Sequence, residues 1–113
     1  MNTSNDCSES LCKTLSVIGD KYTVLIISQL RNGNKRFSEL EKSIPNITPR
    51  TLTQRLDKLL NLHIIGKAIC PESPGRYSYQ LLTPGKELDT VVTAMIEWGI
   101  KHHDDYMHSV KVD

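Results

Sequence analysis

No run of apolar residues approaches the ~20 that a membrane span needs, so nothing in this 113-residue chain reads as a transmembrane helix. The opening residues, Met1-Asn2-Thr3-Ser4-Asn5-Asp6, carry no basic stretch and no apolar segment behind them, and are not expected to act as a signal peptide. Cysteine is scarce and odd in number: Cys7, Cys12 and Cys70, at unpatterned spacings. That argues against a disulfide framework and for a reducing cytoplasm. With no C-x-x-C pair, a structural zinc site is not expected. There is no glycine-rich phosphate loop, no nucleophile motif and no separated carboxylate pair with a plausible pocket, so an enzyme is set aside and no cofactor is expected. Internal repeats and low-complexity segments are also missing.

Net charge is slight, +1, but it is unevenly spread. Residues 31–58 hold seven cations (Arg31, Lys35, Arg36, Lys42, Arg50, Arg55, Lys58) against three acids, a local +4. Residues 86–113 hold three lysines against six acids, and the first 20 residues hold Lys13 against Asp6, Glu9 and Asp20. A basic centre between acidic flanks suits a surface that meets nucleic acid only at its middle.

The composition is otherwise that of a single soluble domain, 38% hydrophobic and 24% charged. Residues 1–9 are polar and are expected to fray. Leu11, Leu15 and Ile18 recur at helical spacing, Gly19-Asp20 interrupts them, and Tyr22, Leu25, Ile26 and Leu30 resume the pattern. This predicts helices at about 10–18 and 20–31, the second closed by Gly33 with a positive φ. Ser38 and Glu41 have capping-box spacing, with Leu40 and Ile44 buried and Pro45 ending a short helix. Thr48 is a good N-cap, Pro49 fits the first helical position, and Leu52, Leu56, Leu59 and Leu60 form one apolar stripe. Arg50, Gln54, Asp57, Lys58 and Asn61 point the other way, with Thr51, Thr53 and Arg55 at the margins.

Two helices joined through Pro45-Asn46-Ile47-Thr48 make a helix-turn-helix pattern. Behind them, residues 64–70 and 76–82 can pair as strands around the turn-rich Pro71-Glu72-Ser73-Pro74-Gly75, with Tyr77, Tyr79 and Leu81 on one face. A hairpin in that place is a wing. Thr83-Pro84 repeats the N-cap-plus-proline signal, and Leu88, Val91, Val92, Met95, Ile96 and Gly99 share a face of a helix running to about residue 107, with Trp98 beside it. The fold class is therefore α+β, mainly α: one winged helix-turn-helix domain with flanking terminal helices.

Several strings in this order resemble the HxlR family of winged-helix regulators, relatives of the MarR group. They are Leu15-Ser16-Val17-Ile18-Gly19-Asp20-Lys21-Tyr22, Arg36-Phe37-Ser38-Glu39-Leu40, Ile47-Thr48-Pro49-Arg50-Thr51-Leu52-Thr53-Gln54-Arg55-Leu56, Pro71-Glu72 through Arg76 and Tyr79, and Ala94-Met95-Ile96-Glu97-Trp98-Gly99. The family usually has Trp where Tyr22 stands, and a Thr cap one residue before Thr83.

The resemblance implies a bacterial, cytoplasmic transcription factor that binds duplex DNA as a homodimer, with a palindromic operator. The recognition helix, about 48–61, would enter the major groove, and the wing, about 64–82, would lie on the flanking groove or backbone. Arg50 suits guanine and Gln54 adenine in bidentate pairs. Thr48 opens that helix, and Thr51 can meet a phosphate or a thymine methyl. Lys58 suits phosphate. Arg36 and Ser38 stand at the start of the preceding helix and suit phosphate as well, Ser38 being equally readable as a cap. Arg76 near the wing tip can enter the minor groove or be a plain turn residue. Arg55 can instead brace the fold, and Asp57 reads as a spacer or the partner of an arginine.

Leu11, Leu15, Leu88, Val92, Met95, Ile96 and Trp98 exceed what one small winged helix can cover, and the resemblance implies a dimer closed by the terminal helices, residues 84–109 among them. Cys7 stands near the position of a sensing cysteine in some relatives, displaced by a residue or so and followed by Ser8, which makes it the candidate redox sensor. Cys12 reads as packing and Cys70 as a strand residue at the wing base. His102, His103, Asp104, Asp105 and His108 read as a solvated helix end rather than a metal site, and His63 as packed at a helix end. The competing function is a winged-helix protein-interaction module without specific DNA binding.

Overall fold

The computed structural model describes residues 3–73, 75–105 and 109–112. Seven elements follow in order: α1 (Thr3–Ile18), α2 (Lys21–Leu30), α3 (Phe37–Ser43), α4 (Pro49–Asn61), β1 (Ile65–Ile69), β2 (Tyr77–Leu81) and α5 (Thr83–Lys101). The break at Gly19-Asp20 is enforced by capping. Asp20 adopts an extended backbone and its carboxylate accepts the Thr23 amide at 2.9 Å, starting α2 anew. Gly33, with φ 139°, turns the chain out of α2.

The core is one cluster drawn from α2, α3, α4, the hairpin and α5. Ile26, Ile27, Leu40, Leu52, Leu56 and Leu59 are essentially inaccessible. The leucine stripe of α4 is thus the inward face the spacing predicts, each buried leucine worth about 1.5–3 kcal/mol. Thr48 caps α4, its hydroxyl oxygen accepting the Thr51 amide at 3.1 Å, with Pro49 in the first turn. The helix closes with the His63 amide donating to the Leu60 carbonyl (3.1 Å) and the Ile64 amide to the Leu59 carbonyl (3.0 Å). This is a Schellman closure in which a histidine, at φ 58°, occupies the left-handed position that usually takes glycine. His63 is exposed there, so the expectation that it packs at a helix end does not hold.

β1 and β2 pair antiparallel with Ile65 opposite Leu81 and Ile69 opposite Tyr77. Tyr79 also exchanges both backbone hydrogen bonds with Lys35 (2.7 and 3.1 Å), which fastens the wing to the segment before α3. Cys70 is buried next to the distal end of the ladder, its amide on the Arg76 carbonyl at 3.0 Å. It therefore lies at the tip side of the hairpin and not at its base.

Several boundaries differ from the sequence reading. α1 begins at Thr3, so helix covers the stretch expected to fray. In α3 the chain caps itself two residues earlier than Ser38 and Glu41 suggest: Glu39 accepts the Arg36 amide at 2.9 Å. α5 starts at Thr83 with Leu82 as its flanking residue and no side-chain cap, so the displaced Thr83 does not act as N-cap. α5 ends at Lys101; its expected continuation toward residue 107 falls partly on residues 106–108, outside the described ones, as does His108. The radius of gyration is 16.0 Å, against about 13 Å for a compact chain of this length.

Candidate nucleic-acid interface

α4 presents Arg50, Thr53, Gln54, Asp57 and Asn61 to solvent along the face opposite its leucines. Arg50 is in the first turn and Gln54 one turn later. Among the described residues neither side chain is hydrogen-bonded or ion-paired with the rest of the chain. Thr48 is exposed and Thr51 half-buried, their hydroxyls 3.0 Å apart, so both oxygens are already engaged at the helix start.

The other cations of the basic centre are differently used. Arg55 turns inward and grips Asp20, Nε to Oδ2 at 2.8 Å and Nη2 to Oδ1 at 3.3 Å. That hydrogen-bonded guanidinium holds the Asp20 carboxyl down at about 2, against the usual 3.8, despite a desolvation that works the other way. Arg31 forms a fork on Asp89 of α5, with contacts of 2.8 to 3.1 Å, which raises its own already high pKa. Lys58 donates to the Ser16 carbonyl at 2.7 Å. The sequence places Lys58 on phosphate; the structure instead spends its ammonium on the end of α1. Three of the seven central cations thus serve the fold, and Arg50 is exposed in the first turn of α4.

Arg36, Ser38 and Arg76, far apart in sequence, come together. With Phe37, Gly75, Tyr77 and Tyr79 they line one open groove of about 390 Å³ between the start of α3 and the wing. Ser38 is exposed there and Arg36 half-buried. The groove's floor is aromatic: Tyr77 and Tyr79 meet edge to face with centroids 5.7 Å apart. Burial, with the neighbouring Tyr77 and Asp57, pushes the Tyr79 hydroxyl up to about 12. The Tyr77 hydroxyl is drawn down, chiefly by Lys67, whose ammonium lies 4.2 Å from the Tyr77 ring centre. The sequence places Tyr77 on a strand face with Tyr79 but gives no role to Lys67; the strand register that pairs Lys67 with Tyr79 is what brings Lys67 and Tyr77 together. Asp57 is exposed and lines a groove with Ser16, Val17 and Lys58, and among the described residues it has no arginine partner.

The apolar residues assigned to a dimer face divide. Val92 is 1% exposed, packed in the chain's own core, and cannot contribute to an external face. Leu88 is half-buried against that core. Leu11, Leu15, Met95, Ile96 and Trp98 are exposed, joined by Val91 and Ile100. Cys7 and Cys12 are both exposed on α1, so Cys12 is not a packing residue. Among the described residues no group of three metal-ligating side chains gathers; His102 lies against Trp98, ring centres 4.8 Å apart.

A capped amphipathic helix behind a short one, a hairpin beside it and unpaired Arg and Gln on the outward face define a winged helix-turn-helix DNA-binding protein. The HxlR-like helix-turn-helix family model matches residues 17–107, and the chain belongs to that family of transcriptional regulators, not enzymes. It is 33% identical over 104 residues to the HTH-type transcriptional regulator YvaP of Bacillus subtilis, covering 92% of this chain and 95% of that protein. It is 37% identical over 94 residues to an HTH-type regulator of Methanothermobacter thermautotrophicus, covering 80% of this chain and 72% of that protein. The redox regulator HypR in its reduced form superposes with a TM-score of 0.79 at 32% identity, covering 89% of this chain and 99% of that one. Reduced YodB of B. subtilis gives 0.72 at 29% identity, over 90% and 96%. No described helix is long and apolar enough to cross a membrane.

Proposed function

We propose that this regulator binds a palindromic operator in the cytoplasm as a homodimer, α4 of each protomer in a major groove and each wing on the adjoining backbone or minor groove. The observation that carries the reading is the contrast among cations: Arg31, Arg55 and Lys58 are bound within the chain, while Arg50, with Gln54 one turn on, is left outward and, among the described residues, unpaired. Arg50 reads guanine and Gln54 adenine. Thr51 and Thr48 border the same helix end and lie close to the phosphates. The groove of Arg36, Ser38 and Arg76 receives the backbone beside the wing.

The dimer rests on unmatched apolar surface. Leu11, Leu15, Met95, Ile96 and Trp98 are 41–60% exposed on α1 and α5, and covering what remains of each contributes about 1 kcal/mol, roughly half the value for a fully exposed side chain. The long radius of gyration fits helices that reach toward a second copy. Light scattering after size exclusion should give twice the 12.8 kDa chain mass, and Met95→Glu should shift it toward the monomer. Duplexes selected by the protein from a random-sequence pool should be palindromic, with affinity falling steeply as salt rises. No selection at low salt would favour a protein-interaction module instead.

Some relatives are redox regulators by name, as HypR is. Cys7, exposed on α1, is the thiol proposed to respond here. Operator affinity of wild type should change on diamide treatment and that of Cys7→Ser should not; an identical response in both removes Cys7 as the sensor.

A further inference from the structure

From Cys7 onward, α1 is attached to the rest of the chain chiefly by its last turn. Residues 7–16 are exposed throughout, and burial begins only at Val17 and Ile18. Two long-range contacts sit at that corner, both made by cations of the recognition helix. Lys58 donates to the Ser16 carbonyl at 2.7 Å, and Arg55 holds Asp20 through two bonds. Ser16 and Asp20 flank the break at Gly19, so the two cations of α4 straddle the joint between α1 and α2.

Each contact meets a need at that joint. The last carbonyls of a helix lack intrahelical partners and carry the negative end of its dipole. α1 has no basic residue of its own in its last turn; Lys58 supplies one from another helix. Asp20 has three tasks on one carboxylate: it accepts the Thr23 amide and hydroxyl, each at 2.9 Å, and binds Arg55. The start of α2 and the middle of α4 are therefore fixed to the same group.

We propose that Asp20 and Lys58 are positioning residues for DNA recognition: they strap α4 to the end of α1, so that the packing of α1 against a second copy sets the separation and tilt of the two recognition helices. This rests on the DNA-binding homodimer described above. Lys58 then influences the operator without touching it, through the spacing of the half-sites that the dimer accepts.

The test uses full-length homodimer and a palindromic duplex selected by the wild-type protein, with versions carrying one base pair more or fewer between half-sites. Lys58→Met keeps the aliphatic stem and removes the ammonium; Asp20→Asn keeps a capping oxygen and removes the charge. For both, affinity for the best spacing should fall several-fold while affinity for the altered spacings falls less, compressing the wild-type discrimination. The slope of log affinity against log salt should stay at the wild-type value. A slope reduced by about 0.9 for each lost phosphate contact, roughly 1.8 for a dimer of Lys58→Met, would overturn the proposal and return Lys58 to the backbone. Unchanged affinity and unchanged spacing discrimination would overturn it equally. If Asp20→Asn melts below the assay temperature, Lys58→Met alone decides. A wild-type protein that selects no duplex removes the DNA reading itself, a different failure from a variant that behaves as wild type.

Discussion

Replacing Asp20 by Asn tests whether a charge, and not merely a cap, holds the joint between the first two helices. The carboxylate accepts four hydrogen bonds, two from Thr23 and two from Arg55. Its folded pKa lies near 2, against 3.8 unperturbed. At about 1.4 kcal/mol per pKa unit, that gap bounds the linked stability at roughly 2.5 kcal/mol. The side chain is 32% exposed, and solvent screening brings the expected figure to about 1–1.5 kcal/mol. The sign follows from the depressed pKa. The unfolded chain takes up its proton near 3.8 while the folded chain resists until about 2, so this stability is complete above roughly pH 5 and disappears as pH falls through about 2. Asparagine still accepts the Thr23 amide, so the variant should lose only the ionic part. Urea unfolding followed by circular dichroism, at equal protein concentration for both proteins, should show the variant weaker at neutral pH and the gap closing toward about pH 2. A gap of the same size at both pH values would refute the ionic account and leave Asp20 as a cap alone.

Arg50→Ala should leave the unfolding midpoint unchanged, because Arg50 has no partner among the described residues. It should cost about 1–3 kcal/mol of operator affinity per half-site in fluorescence anisotropy, with discrimination relaxed at one guanine; unaltered affinity would take Arg50 out of the interface. His63→Gly relieves a left-handed backbone at φ 58° and should stabilise the fold by a few tenths to about 1 kcal/mol, visible as a higher melting temperature, whereas a lower one would mean that the imidazole contributes contacts exceeding that strain. Leu56→Ala, at a side chain 1% exposed, should destabilise by about 2–5 kcal/mol in urea titration, and a loss well under 1 kcal/mol would contradict the central position given to the α4 stripe.

What the sequence made legible was local or periodic. Thr48-Pro49 and the leucines of α4 announce a capped amphipathic helix within a few residues, and the hairpin follows from turn chemistry between two short apolar runs. The direction taken by long cations was not legible. Helical spacing gives the angle at which Lys58 leaves α4, but the lysine stem lets its ammonium reach a carbonyl 42 residues away in sequence. Arg31 and Arg55 behave likewise on Asp89 and Asp20, so a count of basic residues overstated the charge available to DNA. Val92 was misassigned for a related reason: α5 is apolar around more than one face, and periodicity cannot separate the side that meets its own core from the side left open. The cluster of Arg36, Ser38 and Arg76 needed the Lys35–Tyr79 pairing that draws the wing onto α3; a lone bridge leaves no pattern in a sequence. Asp20 had a visible signal, an acid directly after a glycine at a helix break, and was read only as an interruption.

On the reading proposed above, the outward face of α4 reads base edges in two half-sites. The most direct measurement is methylation interference at guanine N7 on a duplex selected by the wild-type protein, with Arg50→Ala in parallel. Two symmetry-related guanines, about one helical turn or a multiple of it apart, should block wild-type binding when methylated and leave that of the variant unaffected. Binding indifferent to major-groove methylation, or an interference pattern that Arg50→Ala leaves intact, would contradict it.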